Sequence, residues 1–329
     1  MQPFIPARLK QALTFLRLRV PGGPVDDPAD LPAARAGLEA LARQIPSSTL
    51  PPMRSVTDLF ASVPESDRED GWRGLIRLFE PVRCTDRGAL IMEVHGGGFT
   101  QGSVAAFQRD AMRLAADTGL RVASVEYRLA PEHPFPTAPH DVARAARWLF
   151  AHAADIGVDP GRILFTGASA GANLIMAAAL LLRDEGHALP AALMPVCGSF
   201  TPGDTDSARR FAEPVFGLGG RALERNLALY LNRPEDRFHP LVSPVLADLR
   251  GLPPVCLFAA ALDPLFDDSF ALASALRAQG GECYLIELPG VAHCGVPFGY
   301  DPAFRTLMAR LAADLLGAGK PGRPRGSAA

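Results

Sequence analysis

Over the middle and end of the chain, short apolar runs alternate with longer stretches whose apolar residues recur at helical spacing. The runs 75–79, 90–94, 122–126, 163–166, 191–196, 255–260 and 284–288 read as strands. They are nearly continuous in apolar residues, as strands buried on both faces must be. Between them, residues 104–117, 141–153, 170–183, 267–279 and 302–316 read as helices, each long enough to cross back over a sheet. The alternation predicts an α/β protein with a mostly parallel central sheet flanked by helices.

Two segments depart from this rhythm. Residues 1–55 combine an amphipathic helical pattern with Pro21, Pro24, Pro28 and Pro32 and contain no predicted strand. Residues 198–242 form a strandless insertion carrying Phe200, Phe211, Phe216 and Tyr230 among Arg209, Arg210, Arg221 and Arg225. A long strandless insertion in a compact domain is usually functional. The pattern thus predicts a core from 56–197 and 243–316, with 1–55 and 198–242 packing as a lid over the carboxyl edge of the sheet. Residues 317–329, rich in Gly, Pro and Arg, are expected to form a flexible tail.

Charge narrows the possible functions. With 33 basic and 35 acidic side chains, the 329-residue chain has a formal charge of −2, which argues against a nucleic-acid partner. The only lysines, Lys10 and Lys320, lie near the termini, so a P-loop, a Schiff-base lysine and a Ser-x-x-Lys site are excluded. The five cysteines, Cys84, Cys197, Cys256, Cys283 and Cys294, never form a C-x-x-C pair, as expected of free thiols in a reducing compartment. Charges interrupt the apolar residues of 1–20, unlike a signal peptide, and the longest apolar run, 174–182, is too short to span a bilayer. A cytoplasmic protein without a membrane span is expected.

The chemistry concentrates in a few places. Gly167-Ala168-Ser169-Ala170-Gly171 sits between a strand and a helix, the setting of a G-x-S-x-G nucleophile elbow. A serine on so sharp a turn is strained, and side chains two positions away would collide with it, hence glycine at both ends. Upstream, His95-Gly96-Gly97-Gly98-Phe99 follows another strand. Consecutive glycines free backbone N–H groups to face a cavity, as an oxyanion requires. The amides of Gly97, Gly98 and Ala170 are the expected oxyanion hole, with His95 anchoring the loop. Asp263 and His293 each follow a predicted strand, in the order Ser, Asp, His. Asp267 and Asp268 open a helix, where acids serve capping roles. None of His133, His140, His152, His187 and His239 follows a strand as His293 does.

With these residues the chain resembles the bacterial hormone-sensitive-lipase-like carboxylesterases of the α/β-hydrolase superfamily. The resemblance runs from about residue 90 to 298 through His95–Phe99, the Tyr-Arg-Leu-Ala-Pro-Glu-His-Pro-Phe-Pro stretch 127–136, 167–171, Ser243-Pro244, Asp263-Pro264-Leu265, and Pro289-Gly290 leading to His293. It implies an α/β-hydrolase fold with a helical cap, and hydrolysis of small uncharged carboxylic esters by Ser169, His293 and Asp263 without cofactor or metal. Within 127–136, Arg128 and Glu132 are expected to hydrogen-bond backbone near the oxyanion loop. The chain departs from the family at Ala168, where Asp or Thr is common, at Ala172, where glycine is common, and at Cys294-Gly295, where Gly-Phe is usual.

Two alternatives share these residues. An amidase, formamidase or lactonase would use the same triad, and a non-catalytic receptor would use the same scaffold without needing all three triad residues. Cys294, beside His293, is either a buried inert thiol or one facing the pocket, where an imidazolium would favour its thiolate.

Overall fold

The computed structural model describes residues 30–61, 72–212, 218–293 and 302–317. The expected tail from 318 onward, the first 29 residues and Cys294 lie outside them. In chain order the elements are α1 (Leu31–Arg43), β1 (Met53–Phe60), β2 (Leu75–Pro81), β3 (Asp86–Val94), α2 (Val104–Thr118), β4 (Leu120–Val125), α3 (Thr137–Ala151), β5 (Ile163–Ala168) and α4 (Ala170–Asp184). They continue with β6 (Ala192–Val196), α5 (Asp206–Arg210), α6 (Gly220–Tyr230), β7 (Val255–Leu262), α7 (Phe266–Ala278), β8 (Cys283–Ala292) and α8 (Pro302–Leu315).

The strands form one eight-stranded sheet in the order β1-β2-β4-β3-β5-β6-β7-β8. From β4 to β8 every neighbouring pair is parallel, while β1 and β2 are antiparallel additions at one edge. All seven predicted strands are present. β1 was not predicted: it is an edge strand exposed along most of its length, so its sequence carries no apolar run, and it begins at Met53 inside the segment expected to be strandless. Helix α3 also starts earlier than expected, at Thr137 in the proline-rich stretch, with Pro139 accommodated in its first turn.

Helices cover both faces. On one, α3, α4 and α7 pack against Leu90, Met92, Ile163, Phe165 and Leu257, and on the other α2 and α8 pack against Ile91, Val122, Leu164 and Phe258. Helix α4 is buried almost all round, which accounts for its apolar run. Helix α2 is stopped cleanly at both ends, by a Ser103 cap on the Ala106 amide (2.9 Å) and by left-handed Gly119. Among the described residues no helix is long and apolar enough to cross a membrane.

Two carboxyls enclosed under α2 break the apolar pattern. Glu93 of β3 accepts a 2.5 Å hydrogen bond from Ser124 Oγ, and Asp110 of α2 lies near it with Arg109 and Arg113. Burial pushes both carboxyls up to about 7. The folded state therefore holds more protons than the unfolded one, and stability falls as pH rises from the ordinary carboxyl range through about 7. Glu93→Gln should raise stability by about 1–3 kcal/mol at pH 8 and by little at pH 5. Thermal unfolding at the two pH values checks this, and an equal change at both would remove Glu93 from the account.

Candidate active site

Four chemistry-bearing residues each stand immediately beyond a parallel strand: His95 after β3, Ser169 after β5, Asp263 after β7 and His293 after β8. Because these strands run the same way, all four emerge at the carboxyl edge of the sheet, where α/β folds build their sites.

Ser169 has φ 56° and ψ −121°, backbone that a side-chain-bearing residue rarely adopts. The turn is held by Ser169 N donating to Val196 O (2.9 Å) and by Ala172 N returning to Ser169 O (3.0 Å). The flanking glycines are required for a reason different from the expected one. A Cβ on Gly171 would lie 2.0 Å from Val94 O at the end of β3, and one on Gly167 would lie 2.5 Å from Gly171 O. The clash is thus with the neighbouring strand and within the turn, not with the serine side chain.

The three residues expected to act together do meet. His293 Nε2 is 3.0 Å from Ser169 Oγ, and His293 Nδ1 is 2.9 Å from Asp263 Oδ2. The other carboxylate oxygen of Asp263 accepts from Leu265 N at 2.8 Å, which fixes the plane of the carboxylate. Asp263 and His293 are both buried. The N–H groups of Gly97, Gly98 and Ala170 have no hydrogen-bond partner among the described residues, and that of Ala170 opens the 15-residue helix α4.

His95 is packed at the start of the glycine loop that follows β3. Its ring lies between Phe107 and Tyr127, with centroids 5.6 and 4.4 Å away, and its Nδ1 is 2.8 Å from Gly96 O. Burial lowers its pKa to about 4, so it stays neutral. The remaining candidate histidines pack elsewhere; His152 stacks on Trp148 and His239 lies edge-on to Phe135.

Asp267 and Asp268 do not cap their own helix. Asp268 accepts from Phe200 N, Thr201 N and Thr201 Oγ1 at 2.7–2.9 Å, and Asp267 accepts from Ser207 N at 2.7 Å. They tie the root of the 198–242 insertion to α7, and burial pushes Asp268 up to about 6. Asn173, not predicted, does the same from α4: its amide nitrogen donates to Ser199 O and Val242 O (2.7 and 2.8 Å), the entry and exit of the insertion. A polar residue four positions after the nucleophile in an otherwise apolar helix was the available signal. Arg128 forks onto Asp141 (2.7 and 2.9 Å), and Glu132 pairs with Arg35 of α1. Among the described residues no three His, Cys, Asp or Glu side chains converge as a metal site.

A strained serine on a strand-to-helix turn, at the carboxyl edge of a mostly parallel sheet, defines the class of α/β hydrolases. The family model described as alpha/beta hydrolase fold matches residues 91–296, and the chain belongs to that family, in its hormone-sensitive-lipase-like branch. It is 33% identical over 219 residues to an arylesterase of Saccharolobus solfataricus, covering 66% of this chain and 71% of the relative. To the carboxylesterase NlhH of Mycobacterium tuberculosis it is 32% identical over 267 residues, covering 78% and 82%. Among solved structures, a hyperthermophilic esterase from the archaeon Pyrobaculum calidifontis superposes with a TM-score of 0.83 at 29% identity, covering 95% of this chain and 98% of that one.

The contacts of the two neighbouring acids predict distinct mutants. Asp263→Asn should lower kcat on the order of 10³-fold or more, because the imidazole loses its orienting carboxylate. Asp267→Asn should cost less than about tenfold, since it loosens only the insertion root. Steady-state kinetics on both variants decides, and the reverse ranking would make Asp267 the orienter.

Proposed function

We propose that this protein is a serine carboxylesterase acting on small uncharged carboxylic esters through an acyl-enzyme. The observation that carries the reading is the continuous line Asp263–His293–Ser169, with contacts of 2.9 and 3.0 Å. Ser169 Oγ attacks the ester carbonyl while His293 Nε2 takes its proton, and Asp263 holds the imidazole and stabilises its charged form. The N–H groups of Gly97, Gly98 and Ala170 receive the oxyanion. His293 then protonates the departing alcohol, and a water activated by the same nitrogen releases the acid. No cofactor or metal enters these steps.

The names of the relatives, arylesterase and carboxylesterase, favour esters over the amides or lactones that the same triad could open. A buried aromatic cluster packed against the glycine loop supports an apolar setting and so uncharged substrates: Phe99 stacks on Tyr230 of α6 with centroids 3.9 Å apart, and Phe135 meets Tyr230 edge-on. We assign the cap to the segment before β1 and to 198–242, over a core that begins at β1 and comprises 53–197 and 243–316.

A serine-directed phosphonate should label the protein stoichiometrically, with peptide mapping locating the adduct on Ser169. Ser169→Ala should retain the fold and lose activity by on the order of 10³-fold or more. Near-native turnover in that variant would reject the serine as nucleophile. Matched ester and amide substrates should show the ester turned over faster, and a chelator should leave the rate unchanged.

A further inference from the structure

Arg35 of α1 lies well away from the triad in sequence, yet its guanidinium is bound to the loop that carries the oxyanion donors. Its Nε donates to Thr100 O at 2.7 Å. The N–H of the same peptide unit belongs to Gln101, and it donates to Gly97 O at 3.0 Å. The N–H of the Gly97–Gly98 unit is in turn the Gly98 amide. Both units are trans, so within each the C=O and N–H point in opposite directions. A single line therefore runs from the guanidinium, through two peptide units, to the Gly98 N–H.

We propose that Arg35 is a positioning residue for this reaction, holding and polarising the Gly98 oxyanion donor through two peptide units in series. The proposal rests on the reading of Ser169 as nucleophile and Gly98 as oxyanion donor. A cation at the tail of a hydrogen-bonded chain draws electron density along it, and each bond strengthens the next. The gain appears where negative charge develops in the transition state and scarcely in the neutral ground state, so it raises kcat with little effect on KM.

The rest of the Arg35 fork reaches acceptors outside that line. Nη2 donates to Ala130 O (2.7 Å), and Nη1 and Nη2 grip the two oxygens of Glu132 at 2.8 Å each. Ala130 N donates to Phe99 O (3.0 Å), so the guanidinium joins the oxyanion loop to the 127–136 stretch on both sides. Glu132 is held below its ordinary carboxyl range by this pairing. One turn further along α1, Glu39 accepts from Ser103 Oγ and fixes the helix to the far end of the same loop. A lysine, with one compact ammonium, cannot occupy all these acceptors.

The test uses the full chain, p-nitrophenyl acetate as substrate, and an alkyl trifluoromethyl ketone, which adds to the serine as a hemiketal bearing the oxyanion. Arg35→Ala should lower kcat roughly 10- to 100-fold, change KM less than about threefold, and weaken the trifluoromethyl ketone by a factor similar to the loss in kcat. Glu132→Gln, which leaves the line through Thr100 intact, should stay within about threefold of the parent in kcat. Should Arg35→Ala not fold, Arg35→Gln retains an N–H donor without the charge, and the same split between kcat and KM is expected of it. If Arg35 served only to cement α1, the two sites would lose thermal stability alike and kcat would be unchanged, which overturns the proposal. A rise in KM at constant kcat also overturns it. Phosphonate labelling of the parent protein separates the two levels: failure to label Ser169 defeats the reading of the site, whereas labelling with an undiminished kcat in Arg35→Ala defeats only the role of Arg35.

Discussion

The site depends on how closely the Ser169 turn approaches the end of β3. Gly171 lies where any Cβ would meet Val94 O, and Gly167 where any Cβ would meet Gly171 O, so β5, the turn and α4 fold back against the neighbouring strand at backbone contact distance. That approach sets the serine beside the loop leaving β3, where a Cβ on Gly96 would come within 3.4 Å of Ser169 Cβ. The strained φ of 56° at Ser169 is sustained because the turn is fixed by hydrogen bonds from both sides and has no room to relax.

Around this centre, polar side chains in an apolar setting each hold backbone in place. Asn173 joins the two ends of the 198–242 insertion behind Ser169, and Asp268 gathers three donors at its root. Arg35 does the equivalent for the loop after β3 from the N-terminal side. The insertion contacts the same loop from another direction, through Tyr230 on Phe99 and through Asn226, which lies directly against Gly98. Helix α1 and the insertion are in this way attached to the loop after β3 and to the helix that follows Ser169.

The enclosed acids under α2 show the cost that polar groups impose away from the site. Glu93 and Asp110 sit on the face of the sheet packed by α2 and α8, and burial holds both near neutrality in their titration. Glu126, whose carboxylate accepts from Val104 N at the start of α2 (2.8 Å), is raised to about 7 as well. These carboxyls favour the protonated form while Glu132, exposed and paired with Arg35, favours the ionised one. The contrast follows from burial against pairing and needs no difference in residue type.

Sequence by itself determined the class of fold and which chemistry-bearing side chains follow its strands. Strands buried on both faces carry continuous apolar runs, so seven of the eight were legible, and the order Ser, Asp, His with each residue after a strand fixed which side chains emerge at one edge. The exposed edge strand β1 was not legible, because a strand with little buried surface has no pattern to display. What only the tertiary structure decided is which groups hold the site: that Asp267 and Asp268 bind the insertion rather than their own helix, that Glu132 belongs to Arg35, and that Gly171 is required by Val94 O. Such contacts join residues 60 to 97 positions apart. Local periodicity reports only which face of an element is buried, so partners brought together by the closure of the fold leave no mark in either stretch of sequence alone.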